Sequence, residues 1–203
     1  MPTYAPTTKC NLTDLDSRIM PVAGGGFERC YNAQAAVDAE TMLVVATGLT
    51  QAANDKRQIA PMMTALNALP EELGEVVRML ADAGYFSAAN VTACIHVGIE
   101  PMLACGREAQ DLSWQARFSE PPPLATPAEP IARMKHRLLT RAGRAWYALR
   151  KQTVEPVFGI IKAVMGFRQF LLRGLQAVRG EWSLVTMAWN IRRMAALRAL
   201  ASG

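Results

Sequence analysis

Val76-Val77-Arg78-Met79-Leu80-Ala81-Asp82-Ala83-Gly84-Tyr85-Phe86-Ser87 is the stretch from which the fold can be read. Val76 to Ala81 is apolar except for Arg78, too short for an ordinary helix and suited to a strand buried on both faces. The run stops at Asp82, and the small residues Ala83 and Gly84 follow. Ser87 then offers an N-cap for a helix reaching His96, with Gly98 placed to end it, and Ile99 to Ala104 reads as another short strand. In open α/β sheets, the loops beyond the carboxyl ends of the strands carry the functional side chains. A carboxylate at that position, with small neighbours that leave room, suits a divalent cation, which takes hard oxygen ligands. A turn or helix-capping role for Asp82 fits the same place.

Upstream, Phe27 to Val37 and Met42 to Leu49 read as two strands joined by a hairpin at Asp38-Ala39-Glu40-Thr41. Asn54-Asp55 leads into a helix from about Arg57 to Ala68, closed by Pro70. Residues 1–26 are turn-rich and end in Gly24-Gly25-Gly26, with no strand expected there. Downstream, residues 107–139 form a proline-rich insert or linker around Pro121-Pro122-Pro123, although the helical, basic pattern already begins at Ile131. Two long helical segments follow, from about Thr140 to Val164 and from about Leu175 to Leu200. The expected organisation is a turn-rich segment (1–26), an α/β core (27–106), the insert (107–139) and a helical block (140–203). The fold class is α/β, a mixed sheet flanked by helices.

Composition narrows the function. Half of the 203 residues are hydrophobic, enough for a real core. The longest uncharged stretch, Ala83 to Ile99, is interrupted by polar residues and falls short of the roughly 20 apolar residues of a membrane span. No basic-then-apolar start reads as a secretion signal. Cys10, Cys30, Cys94 and Cys105 are scattered and only two histidines occur, which argues against zinc and for reduced cytosolic thiols. The net charge of +5 conceals an asymmetry. Residues 1–130 hold 8 Lys/Arg and 15 Asp/Glu, whereas residues 131–203 hold 14 Lys/Arg against Glu155 and Glu181 alone. Basic groups gain affinity by releasing counterions from phosphates, so the second half points to nucleic acid; a solubilising surface or an acidic partner is the plainer alternative.

Glu155 is therefore conspicuous. Lys151 lies four residues before it and Lys162 seven after, so at about 3.6 residues per turn all three share a narrow stripe of one helix. A carboxylate set among lysines can hold a metal while the lysines take phosphates; it can equally be one half of a surface ion pair with Lys151. Pro156 beside it removes a helical hydrogen bond and favours a kink.

At these residues a resemblance becomes specific. Leu80-Ala81-Asp82-Ala83-Gly84-Tyr85-Phe86-Ser87 resembles the second-aspartate motif of insertion-sequence DDE transposases, and Lys151 to Lys162 is similar to their third-carboxylate helix. That helix often shows tyrosine, arginine, glutamate and lysine in order. Glu155 and Lys162 keep its last spacing, Lys151 stands where arginine is common, and Tyr147 is one residue out of register. Tyr31-Asn32-Ala33-Gln34-Ala35-Ala36-Val37-Asp38, Thr50 to Asp55 and Phe167 to Trp189 add to a likeness running from about Asn11 to Ala196, the proline-rich insert aside.

The resemblance implies a ribonuclease-H-like sheet, a site for two Mg²⁺ or Mn²⁺ ions, and Asp82 and Glu155 as catalytic metal ligands. Arg150, Lys151, Lys162, Arg168 and Arg173 would grip duplex DNA, both transposon ends and target. A homodimer or a full-length transposase is the implied protein partner, and the bacterial cytoplasm, at the nucleoid, the implied location. The family's first aspartate is expected on a first strand, ahead of Asn11, that residues 1–26 do not show; Asp14, Asp16 and Asp38 are the possible stand-ins, with turn roles preferred for all three. On this reading the chain is a truncated copy, unable to cut DNA alone, whose sheet lacks its first strand. A non-catalytic DNA-binding remnant, one piece of a split enzyme, an inhibitor of a full-length transposase and an unrelated ribonuclease-H-like nuclease are the rivals.

Overall fold

The computed structural model describes residues 11–22, 24–106, 119–125 and 127–202, so residues 107–118 of the expected insert lie outside the described residues. The strands are β1 (Arg18–Pro21), β2 (Phe27–Cys30), β3 (Asn32–Val37), β4 (Val44–Thr50), β5 (Arg78–Ala81) and β6 (Glu100–Leu103). The helices are α1 (Ile59–Asn67), α2 (Ala88–His96), α3 (Pro130–Leu139), α4 (Arg141–Ala163) and α5 (Leu175–Ala201). The mixed α/β class expected from the sequence is therefore present.

Several boundaries differ from the reading of the sequence. The strand expected from Phe27 to Val37 is broken at Tyr31, and its first half pairs with β1, which lies inside the turn-rich segment. Isolated four-residue strands give too little periodicity to stand out among turn residues. The last ten residues of the expected insert are helix α3, with Pro130 at its start where a missing N–H costs nothing. Met134 of α3 is almost fully buried, so this segment is core rather than linker. The long helix expected from Thr140 to Val164 is present as α4, with Pro156 inside it. Strand β5 is not buried on both faces along its length, because Arg78 points outward.

The expected continuous sheet is not formed among the described residues. Instead there are three two-stranded sheets: antiparallel β1–β2, antiparallel β3–β4 and parallel β5–β6. There are two cores, and β3–β4 contributes to both, Ala46 to the first and Val44 to the second. Ile59, Met63, Met79, Val91, Cys94, Leu103 and Met134 pack α1, α2 and α3 around β5–β6. Val44, Val157, Ile161, Trp182 and Trp189 pack α4 and α5 against β3–β4.

Helix α5 is bolted to the edge of β4 by side chains that imitate another strand. Asn190 accepts from the Val44 N–H (2.8 Å) and donates to the Val44 carbonyl (2.8 Å), while Trp189 Nε1 donates to the Met42 carbonyl (2.9 Å). Among the described residues, no helix is long and apolar enough to cross a membrane. Asn190→Ala strands both Val44 groups on a buried residue and should cost about 2–4 kcal/mol. A urea midpoint that stays put in this variant would show that α5 is held by apolar packing alone.

Candidate active site

Asp82 ends β5 and begins a single turn of 3-10 helix, Ala83–Tyr85. Its two oxygens do different work. Oδ1 accepts from the Gly84 N–H at 2.9 Å, the turn-capping role foreseen for this position. Oδ2 faces the Arg150 guanidinium, 4.0 Å from Nη1. Helix α4 carries Glu155 to the other side of the same guanidinium, with Oε1 3.4 Å from Nη2. The planar fork spaces its terminal nitrogens by about 2.3 Å, which puts the two facing carboxylate oxygens within about 10 Å of each other. Both carboxylates are half exposed (50% and 56%), while Arg150 at 20% is the inner member.

Tyr147 fixes this geometry from one turn earlier in α4. Its hydroxyl donates to the Ala81 carbonyl at the end of β5 (3.3 Å), and its ring lies 5.7 Å from the Arg150 guanidinium carbon. Burial pushes the Tyr147 phenol up; the Arg150 charge opposes that shift and the Asp82 charge adds to it. The pairing of Tyr147 with Arg150 also explains their register in the sequence. Arg150, not Lys151, reaches Glu155, whereas Lys151 is exposed on the solvent side of α4.

A carboxylate that the sequence reading left unassigned stands beside Asp82. Asp55 Oδ1 accepts from Asn32 Nδ2 (2.7 Å) and Gln34 Nε2 (2.8 Å), two side chains of β3. A methyl group built on Gly84 would lie 3.0 Å from Asp82 Oδ1 and 3.2 Å from Asp55 Oδ2, so both carboxylates border the space beside Gly84 and a larger residue there would have to displace them slightly. Gln34 Oε1 in turn accepts from the Tyr85 hydroxyl. Burial raises the Tyr85 phenol, and the charges of Asp55 and Asp82 raise it further. The pairing of Asn54-Asp55 with a helix start hid this role, because an aspartate there reads as punctuation.

The proposed stand-ins for a first aspartate sit elsewhere. Asp14 accepts from the Tyr31 hydroxyl (2.8 Å) and the Gly174 N–H (3.3 Å), and Asp16 from the Leu175 N–H (2.9 Å), so both tether the start of α5. Asp38 closes the β3–β4 hairpin by accepting from Thr41 N (2.8 Å). Of the two acids in the basic half, Glu181 is occupied by the backbone N–H groups of Leu171 and Leu172, which leaves Glu155 as the one that faces the strand end. Lys162, Arg168 and Arg173 are exposed, the latter two in the connection between α4 and α5.

The donor set suits a hard divalent ion. Asp82 and Glu155 are oxygen donors on rigid elements, half open to solvent, and a cationic group already lies between them. Among the described residues, no group of three His, Cys, Asp or Glu side chains is close enough to hold an ion by itself. The family model described as "Transposase DDE domain" matches residues 9–191. No curated protein and no solved structure matches the chain.

The raised phenols give a pH prediction. Their folded-state pKa lies above the unfolded value near 10, so their contribution to stability is complete below about pH 10 and is lost as pH rises toward the folded value. Stability should fall steeply above pH 10, and Tyr85→Phe should flatten part of that fall. Denaturant unfolding between pH 8 and pH 11, with tyrosinate absorbance recorded alongside, measures both.

Proposed function

The chain belongs to the transposase DDE domain family, and we propose that it supplies Asp82 and Glu155 as two metal-binding carboxylates of an enzyme that cuts and joins DNA at the ends of an insertion sequence. The observation that carries this reading is the convergence of the β5 strand end and the middle of α4 on one guanidinium, across 73 residues of sequence. Members of this family use divalent metal ions, which in a two-ion site activate the attacking oxygen and stabilise the leaving oxygen of an in-line displacement.

The chain's own residues divide the remaining work. Asp82 presents Oδ2 from a turn whose geometry is set by Oδ1 and Gly84, so that the outer oxygen is aimed before any ion arrives. Glu155 reaches the same guanidinium from a helix tied to the strand end by Tyr147. Lys151 and Lys162 flank Glu155 on one stripe, and Arg168 and Arg173 extend the cationic surface into the next connection. This surface would take backbone phosphates, which fixes register on the duplex without reading sequence.

A ribonuclease-H-like sheet would place a further strand between β3 and β5, which are not hydrogen-bonded to each other here. That strand would carry the family's first aspartate. We read the chain as dependent on that strand for cutting but able to bind duplex DNA; a remnant that inhibits a full-length transposase is the second reading, favoured by the same basic surface.

Two experiments test this. Duplex binding should weaken by roughly a thousandfold between 50 and 200 mM salt if about six phosphates are engaged. Binding that ignores salt, or that survives charge reversal of Lys151, Lys162, Arg168 and Arg173, would remove the DNA surface. In a nicking assay on duplex DNA with Mg²⁺ or Mn²⁺, the purified chain should be inactive. Nicking that both Asp82→Ala and Glu155→Ala abolish would instead show a complete site, with Asp55 as the nearest third carboxylate.

A further inference from the structure

We propose that Arg150 is the built-in cation of this site: it holds Asp82 and Glu155 together without metal, and a divalent ion must displace it to bind. The inference rests on the reading of those two residues as metal ligands. It adds that affinity for metal is set by a competition inside the protein.

The geometry is that of a placeholder. One guanidinium faces both carboxylates, yet at 3.4 and 4.0 Å both contacts are longer than the roughly 2.7–2.9 Å of a charge-assisted hydrogen bond. Its Nε is buried and has no hydrogen-bond partner. Arg150 is therefore held by charge and by Tyr147, through its ring and its phenol, while its Nε stays unpartnered. An arginine committed to a structural role would use its fork bidentately and satisfy Nε as well.

Electrostatics makes the competition unavoidable. The groups facing Arg150 are Asp82 from the end of β5, and Glu155 and Tyr147 from its own helix. Without a cation between them the two carboxylates repel. An ion ligated by carboxylate oxygens sits about 2.0–2.6 Å from them, well inside the present guanidinium distances. A guanidinium left in place would then face the ion with like charge in a partly buried site. The long stem of Arg150 lets the head swing outward, toward the side where Lys151 is exposed.

Mn²⁺ binding to the full chain, followed by calorimetry and by the paramagnetic signal of free Mn²⁺, tests the competition. Arg150→Gln should bind Mn²⁺ at least about threefold more tightly than the unaltered chain, because two partly exposed ion pairs no longer oppose it. Its metal-free melting temperature should fall, and the rise on adding Mn²⁺ should be larger than in the unaltered chain. Arg150→Lys keeps a charge but cannot span both carboxylates, and should lie between the two. Equal or weaker Mn²⁺ binding by Arg150→Gln, with its circular dichroism intact, overturns the proposal. If Arg150→Gln does not fold, Arg150→Lys decides in the same way. Asp82→Asn, made alone and with Arg150→Gln, separates the two readings. Mn²⁺ binding indifferent to Asp82→Asn, or absent throughout, would overturn the ligand reading itself, whereas binding lost with Asp82→Asn but unmoved by Arg150→Gln would sink only the competition.

Discussion

The side-chain amide of Gln34 is buried at 4% exposure, and a buried amide must find partners for its donors and its acceptor. It finds them in three directions. Nε2 donates to Asp55 and to Asn32 Oδ1, Oε1 receives the Tyr85 hydroxyl, and the backbone carbonyl of the same residue receives Trp182 Nε1 at 3.0 Å. Strand β3 is thereby tied to the loop before α1, to the turn that follows Asp82 and to helix α5. These links join elements of both apolar cores, and β5 is not hydrogen-bonded to β3, so polar side chains and the apolar packing around Ala46, not a shared ladder, set the two strands against each other.

That arrangement has an electrostatic consequence. Asp82 has Asp55 on one side, across Gly84, and on the other shares Arg150 with Glu155, and carboxylates so placed are costly to crowd further without compensation. Asn32 and Gln34 hold Asp55 as neutral donors, the Gly84 N–H holds one oxygen of Asp82, and Arg150 supplies the one full positive charge named in these contacts. Tyr85 and Tyr147 remain protonated in this negative surrounding, since burial and the adjacent carboxylates both disfavour phenolate. A site so arranged favours positive charge at its mouth.

The basic half is also less uniform than its charge. Arg137 and Arg78 converge on Glu100, which pins α3 to β5–β6, and Arg78 also stacks its guanidinium 4.4 Å from the Trp146 ring. Arg193 donates to the Thr41 carbonyl at 2.7 Å and so belongs to the anchorage of α5. The exposed cations of this half include Lys151 and Lys162 on α4, Arg168 and Arg173 in the connection to α5, and Arg179, Arg192 and Arg198 on α5 itself.

The sequence by itself determined the elements with a strong local signature: β5 and its terminal aspartate, α2 with its Ser87 cap and Gly98 stop, the Asp38 hairpin and the two long basic helices. Each is dictated within about ten residues by apolar runs, caps and turn formers, whose physics is local. Asp82 and Glu155 were legible for a related reason, because an acid that ends a buried run, or stands alone among cations, breaks a pattern. Tertiary structure alone decided the rest. Lys151 and Arg150 are adjacent and equally charged, and only the packing of Tyr147 on the end of β5 determines which of them turns inward. Asp55 has no unusual neighbours in sequence and acquires its place from β3, more than twenty residues away. The short strands β1 and β2 are specified by each other, not by their own residues. Such features depend on which distant groups must satisfy one another once buried, and no local pattern carries that information.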